Sequence, residues 1–171
     1  LTILKSINKT LEIIMRDSIL IVNEEDIVQK HKNEHDAYAY SKREVTSRKD
    51  FEQCYVAVYE IPPKKANYPL HYHTANTEVF YIIKGKGILI TVDGEKEIKQ
   101  GDFIVCPPTE KSVHKIINTS ESEILKYIDF DTTNSPDIIH YPDSDKVGIV
   151  IHNKSSDFFR IKEKVDYYDG E

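Results

Sequence analysis

His71-Tyr72-His73-Thr74-Ala75-Asn76-Thr77-Glu78-Val79-Phe80-Tyr81-Ile82-Ile83 is the stretch on which the reading of this chain turns. In a strand, residues i and i+2 point to the same face, so the imidazoles of His71 and His73 aim at one point. The short polar run 74–77 is long enough to bend the chain and bring Glu78 back towards that point. Imidazole nitrogens and a carboxylate oxygen are good ligands for first-row divalent metals. A pair of strand histidines is commonly just surface. The third histidine, His114, on a separate expected strand, and the turn glycines between it and Glu78 lift this pair above that background.

Outward from this centre the pattern is β. Residues 53–61 are rich in valine and tyrosine and are stopped by Pro62-Pro63. Residues 78–83, 87–92, 95–98, 103–106, 113–117 and 123–130 read as further strands. Asp93-Gly94 is a preferred pair for a tight hairpin turn, Gly101-Asp102 is a second turn, and Pro107-Pro108 ends a strand. Short strands with turns every eight to twelve residues predict an antiparallel sandwich or barrel. No helical pattern interrupts 53–130, and no internal repeat is visible, so one barrel is expected. Glu78, Phe80 and Ile82 are expected to face inward, with Val79, Tyr81 and Ile83 outward. Tyr55, Ala57, Tyr59 and Ile61 share one face, read chiefly as core packing with satisfied hydroxyls.

These residues resemble the two motifs of the cupin superfamily. The first, Gly-x5-His-x-His-x3-4-Glu-x6-Gly, is matched at His71, His73, Glu78 and Gly85. The second, Gly-x5-Pro-x-Gly-x2-His-x3-Asn, is matched at Gly101, Pro107, His114 and Asn118. Two departures stand out: Lys65 occupies the place of the first motif's opening glycine, and Thr109 that of a second-motif glycine. His114 also comes two residues late, which lengthens loop 108–113. The tail 141–148 and the closing residues 168–171 look like a group of single-domain cupins without an assigned activity. The resemblance implies an all-β double-stranded β-helix (a jelly roll) with a short N-terminal helix and strand extension. It also implies one divalent metal ion (Mn, Fe, Zn or Ni) on His71, His73, Glu78 and His114.

Before the barrel, residues 18–22 read as a strand and Asn23 as the N-cap of a brief helix to residue 29. Residues 31–36 read as polar loop, and 43–47 as a strand. Ile3, Leu4, Ile7, Leu11 and Ile14 follow a helical period, so 2–14 is expected to form an amphipathic helix. It lacks a signal peptide's apolar core and cleavage site. Met15, the sole methionine, stands as the candidate natural start, and a chain beginning there is expected to fold. The expected organisation is an extension over 1–52, the barrel over 53–130 and a tail over 131–171. Phe158, Phe159, Ile161, Tyr167 and Tyr168 make that tail too apolar for disorder, so it should pack on the barrel or on a second subunit. His31, His35, His140 and His152 lie in polar, loop-like segments and read as solvated.

The net charge of −6 disfavours nucleic acid and anionic membrane as partners. Two cysteines, Cys54 and Cys106, make no disulfide framework. Each reads as a small buried hydrophobe, consistent with a reducing cytoplasm. The expected function is metal-dependent chemistry of dioxygenase or isomerase type on a small polar, oxygen-rich molecule. The alternative is a non-catalytic module that binds a sugar or carboxylate. A second acid/base cluster near the metal would favour the enzyme. A homodimer is the default symmetric assembly.

Overall fold

The structure, a computed structural model, describes residues 19–47, 53–152 and 154–171. The expected helix over 2–14 and the candidate start Met15 lie outside the described residues. The described chain is almost wholly β: β1 Lys30–His35, β2 Tyr38–Glu44, β3 Cys54–Ile61, β4 Tyr72–His73, β5 Glu78–Lys84, β6 Lys86–Thr91, β7 Gly94–Lys99, β8 Phe103–Cys106, β9 His114–Ile117, β10 Leu125–Thr132, β11 Asp137–Tyr141, β12 Lys146–Val150 and β13 Asp157–Arg160. Only 3-10 turns interrupt them.

The strands form a six-stranded sheet in the order β1-β2-β3-β10-β5-β8, a three-stranded sheet β7-β6-β9 and a four-stranded sheet β13-β12-β11-β4. An antiparallel bridge between His71 and His114 joins the last two, with backbone N···O distances of 3.1 and 2.9 Å. The result is the double-stranded β-helix that the motif reading implies. Its core is Tyr59, Ile61, Phe80, Ile82, Ile116, Leu125 and Tyr127, all nearly fully buried. The alternation of β5 is as expected, with Glu78, Phe80 and Ile82 buried and Val79, Tyr81 and Ile83 half-buried on the other face.

Gly85 and Gly87 let the chain turn from β5 into β6 close against neighbouring strands. Gly85 has φ +87°, and a Cβ there would lie 2.6 Å from Ile124 O. The Asp93-Gly94 turn joins β6 to β7, with Gly94 at φ +104°.

Several local expectations are corrected. Residues 19–22 belong to no strand. Asn23 does cap, its Oδ1 accepting from Glu25 N at 3.0 Å, but the element is a single 3-10 turn, Glu24–Asp26. The segment read as loop at 31–36 is β1, paired with β2, and the strand expected at 43–47 lies earlier, at Tyr38–Glu44. All six residues of β1 are exposed, so no apolar alternation marks it. The tail contributes β11, β12 and β13, which pair onward from β4. His140 is therefore a strand residue, stacked on Tyr72 at 4.7 Å and 4°, rather than a loop residue.

Candidate metal centre

The six-stranded and four-stranded sheets face each other across a cavity of about 540 Å3. At its inner end lie His71, His73 and Glu78, all buried, with donor atoms within 4.8 Å of one another. His71 and His73 flank the start of β4 and Glu78 opens β5. The intervening turn is held by Asn76, whose amide donates to Asn134 O at 3.1 Å and to Asp137 Oδ2 at 2.8 Å.

His114 enters from β9 and is 3% exposed. The longer loop before it, 108–113, is taken up by the 3-10 turn Glu110–Ser112, capped by the Thr109 hydroxyl. His114 and His71 are bridge partners, and their rings lie 4.6 Å apart. Its Nε2 is 3.0 Å from Glu78 Oε2.

Each imidazole is oriented by its Nδ1. His71 Nδ1 donates to Pro69 O at 2.9 Å, and His114 Nδ1 donates to Ser112 O at 2.9 Å. A carbonyl can only accept, so the proton sits on Nδ1 and the Nε2 lone pair is left facing Glu78. His73 Nδ1 lies 2.5 Å from Asp137 Oδ2. Asp137 also accepts from the backbone N–H groups of Thr74 and Ala75. The three Nε2 atoms converge on Glu78, at 3.7 Å for His71, 3.5 Å for His73 and 3.0 Å for His114. His114 Nε2 is buried and has no hydrogen-bond partner among the described residues. An orphaned acceptor beside a buried carboxylate is costly unless a cation takes the lone pair. The donor set therefore suits a divalent first-row ion.

The ion-free electrostatics agree with this geometry. Burial pushes the His71 imidazole down. Burial acts likewise on His73, but Asp137 and Glu78 outweigh it and hold its pKa at about 9. Burial would raise Glu78, yet the adjoining imidazoles of His114, His71 and His73 hold it well below the usual carboxylate range. Asp137 is likewise lowered, burial being outweighed by His73.

Two carboxylates that the sequence reading passed over enter the same cavity. Asp129 and Asp131 on β10 are buried, and with Glu78 they form a second group within 4.8 Å. Asp131 is the cross-strand partner of Glu78. The strand reads Tyr127-Ile128-Asp129-Phe130-Asp131, and its acids face inward while Ile128 and Phe130 face out. Two acids spaced i, i+2 in a strand were the available signal.

Tyr55 and Tyr59 pack in the core with satisfied hydroxyls, as expected, and they also line the cavity. Their hydroxyls belong to a row: Tyr55 to Tyr59 at 3.4 Å, Tyr59 to Tyr68 at 3.0 Å, and Tyr68 to Tyr40 at 3.0 Å. Lys42 donates to Tyr55 at 3.2 Å near the mouth. Phe80 packs against the His114 ring at 5.6 Å, as expected of a wall residue. Cys106 is buried, as expected, while Cys54 is only half-buried.

An antiparallel double-stranded β-helix with this inward cluster defines a class, and comparison with known proteins identifies it. Residues 57–131 match the cupin domain family. An uncharacterized protein of Methanocaldococcus jannaschii is 50% identical over 50 residues, covering 29% of this chain and 38% of that protein. One of Aquifex aeolicus is 38% identical over 55 residues, covering 32% of this chain and 44% of that protein. The matches thus span less than half of either relative. Among solved structures, a putative sugar phosphate isomerase from Acidithiobacillus ferrooxidans aligns with TM-score 0.74 at 19% identity, over 86% of this chain and 95% of that one. A sugar phosphate isomerase from Silicibacter pomeroyi aligns with TM-score 0.75 at 16% identity, over 88% and 98%. A predicted oxalate decarboxylase from Thermotoga maritima aligns with TM-score 0.58 at 19% identity, over 67% and 100%. At these identities the likeness is one of fold. No helix among the described residues is long and apolar enough to cross a membrane.

Proposed function

We propose that the chain holds one divalent metal ion on His71, His73, Glu78 and His114. With it, the protein acts as an isomerase-like catalyst on a small hydroxylated carbonyl compound. The observation that carries this reading is the pair Asp129 and Asp131, which share one cavity with the histidine cluster. A site that only bound dioxygen or an apolar ligand has no use for two further buried carboxylates, because each is costly to bury. A bound ion supplies Lewis acidity towards the oxygens of the ligand.

The residues of this chain do the rest. The Tyr55 and Tyr59 hydroxyls, each able to donate and accept, orient substrate hydroxyls along the cavity wall. One β10 carboxylate takes the proton from the hydroxyl-bearing carbon beside the carbonyl, the C–H electron pair becomes a C=C bond, and the C=O π pair moves onto the carbonyl oxygen to give an enediolate. Return of that proton to the neighbouring carbon, with a proton shift between the two oxygens, moves the carbonyl by one carbon and leaves atoms and charge balanced. The cavity, about 540 Å3, is sized for a metabolite of this kind. The two solved structures described as sugar phosphate isomerases make free and phosphorylated aldoses and ketoses the first panel to try.

The test is proton NMR in D2O with Mn-loaded protein and that panel. Metal-dependent deuterium uptake at the carbon beside the carbonyl is expected. Asp131→Asn should reduce its rate by about 100-fold or more, since general-base contributions are of order 10²–10⁴. Binding without any exchange by the wild type would overturn catalysis in favour of a ligand-binding module.

A further inference from the structure

Tyr141 opens the segment Tyr141-Pro142-Asp143-Ser144-Asp145-Lys146-Val147-Gly148, which the metal cluster does not use. It is the last residue of β11. Ile139 pairs across the sheet with His73, and the same register carried two residues on sets Tyr141 opposite His71. In a strand, residues i and i+2 share a face, so Tyr141 joins Ile139 and His73 on the wall of the metal cavity. Its ring lies over the His71 imidazole, with centroids 5.9 Å apart and planes 22° from parallel.

The rest of the segment braces that ring. The 3-10 turn Pro142–Ser144, followed by Asp145 at φ +49°, returns the chain so that Lys146 pairs with Tyr141. The Lys146 ammonium sits 4.6 Å from the centre of the Tyr141 ring. Phe158 on β13 packs against it, with ring centroids 6.1 Å apart. Gly148 makes the room: a Cβ there would lie 2.8 Å from Phe158 Cε1 and 3.6 Å from Tyr141 Cε2. Held between His71, Lys146 and Phe158, the ring has little freedom to turn away from the cluster.

The hydroxyl it carries is uncommitted. Tyr55, Tyr59 and Tyr68 also line the cavity, but their hydroxyls are joined in the row that ends at Tyr40. The Tyr141 hydroxyl has no hydrogen-bond partner among the described residues. Burial, then Glu78 and Asp137, push its pKa up to about 12, so it lies within reach of both carboxylates and keeps its proton at neutral pH. A phenol O–H without a partner beside a polar cavity is a donor available to a ligand.

We propose that Tyr141 is the acid that moves the proton between the two oxygens of the substrate. The assignment rests on the enediolate reading above and supplies the step which that reading leaves without a residue. Asp131 and Tyr141 stand in the six-stranded and four-stranded sheets, on opposite walls of one cavity, so both reach a ligand held between them. As the carboxylate takes the C–H proton and the C=O π pair moves onto oxygen, the Tyr141 O–H gives that oxygen its proton. The tyrosinate then takes the proton of the neighbouring hydroxyl. That O–H pair becomes the new C=O bond, and the C=C pair takes the proton held by the carboxylic acid onto the other carbon. Tyr141 and the carboxylate are restored, and atoms and charge balance.

The experiment follows Mn-loaded protein in D2O by proton NMR with the aldose and ketose panel. It reads two rates, deuterium uptake beside the carbonyl and conversion to the isomer. Tyr141→Phe keeps the ring and removes the hydroxyl. Uptake should persist while conversion falls about 100-fold or more, the scale of general-acid contributions. Asp131→Asn should lose both. Uptake and conversion falling by one factor in Tyr141→Phe, or neither falling, would overturn the assignment, as would wild-type uptake without conversion. A wild type that shows neither rate overturns the enediolate reading itself, and the hydroxyl is then judged as a donor to ligand oxygen. Acetohydroxamate, with two adjacent oxygens in one plane, is the probe. Its calorimetric affinity for Mn-loaded protein should fall about 10–100-fold in Tyr141→Phe, the worth of a hydrogen bond to a charged group. The affinity for Mn alone should not change. Equal hydroxamate binding, or none by the wild type, rules the donor out. An equal fall in Mn affinity would mean that the ring only props His71, and would rule it out too. Should Tyr141→Phe misfold, Tyr141→Met takes its place, since it also fills the space without a donor.

Discussion

Asp137 is fixed by several partners at once. It accepts from the backbone of Thr74 and Ala75 and from the Asn76 amide, and it faces His73 Nδ1. Its charge therefore cannot swing away, and it sets both the tautomer and the basicity of His73. Carboxylate–histidine pairs of this kind typically alter metal affinity 10–100-fold when broken. Asp137→Asn keeps the shape and removes the charge, so two effects oppose. The imidazole becomes a poorer ligand, while the proton competing for it binds less tightly. At about pH 10, above the wild-type His73 pKa of about 9 so that most of its proton is gone, the first effect dominates and affinity should fall about 10–100-fold. At pH 7 the deficit should shrink. Competition titration with a chromophoric chelator at both values checks this, and a deficit equal at both would mean that Asp137 acts only on packing.

At the scale of elements, β10 is the strand whose polarity decides most. It places Tyr127, Asp129 and Asp131 inside and Ile128 and Phe130 outside. A strand has period two, so a sequence reading that puts apolar residues inward turns this strand over. The histidines and Glu78 were legible because their spacing is itself the signal, and β5 was legible because its inward face is conventionally apolar beyond Glu78. Asp129 and Asp131 were not, because inward acids make sense only once Glu78 is seen opposite them across the sheet. β1 was illegible for another reason, as six exposed residues give alternation nothing to act on. The turn between β5 and β6 offers a direct test of an element boundary. Gly85→Ala adds a Cβ 2.6 Å from Ile124 O at φ +87°. Both the clash and the left-handed conformation resist it, so a loss of about 2–4 kcal/mol is expected by urea denaturation. Gly94→Ala has φ +104° but nothing within 4 Å, so about 1–2 kcal/mol is expected there. Equal losses at the two glycines would show that the close approach to Ile124 relaxes freely.

For the molecule as a whole, the cluster sits where three sheets meet. His73 belongs to the four-stranded sheet, Glu78 to the six-stranded and His114 to the three-stranded, and His71 makes the bridge between the last and the first. An ion there cross-links all three, and its binding energy is stability of the whole barrel. At a free concentration of 100 times Kd the gain is about 2.7 kcal/mol. The pH dependence follows from the shifts. His73 is raised from 6.5 to about 9, so in ion-free protein its contribution is fully present below pH 6.5 and is lost as pH rises through 9. His114 is also raised and acts in the same direction. Glu78 and Asp137 are lowered, so their contributions hold above the ordinary carboxylate range and are lost only on acidification below it. His71 is lowered, so it too favours the folded state less once pH falls below 6.5. Ion-free protein should therefore lose melting temperature between pH 6.5 and 9. Metal binding runs the other way over the same window, because the ion must displace the proton on His73 and does so more easily as pH rises. The difference in melting temperature between Mn-loaded and chelator-treated protein should widen steadily from pH 6.5 to 9. Thermal denaturation at three pH values across that window measures it. A difference that stays constant would mean that no proton leaves the cluster when metal binds.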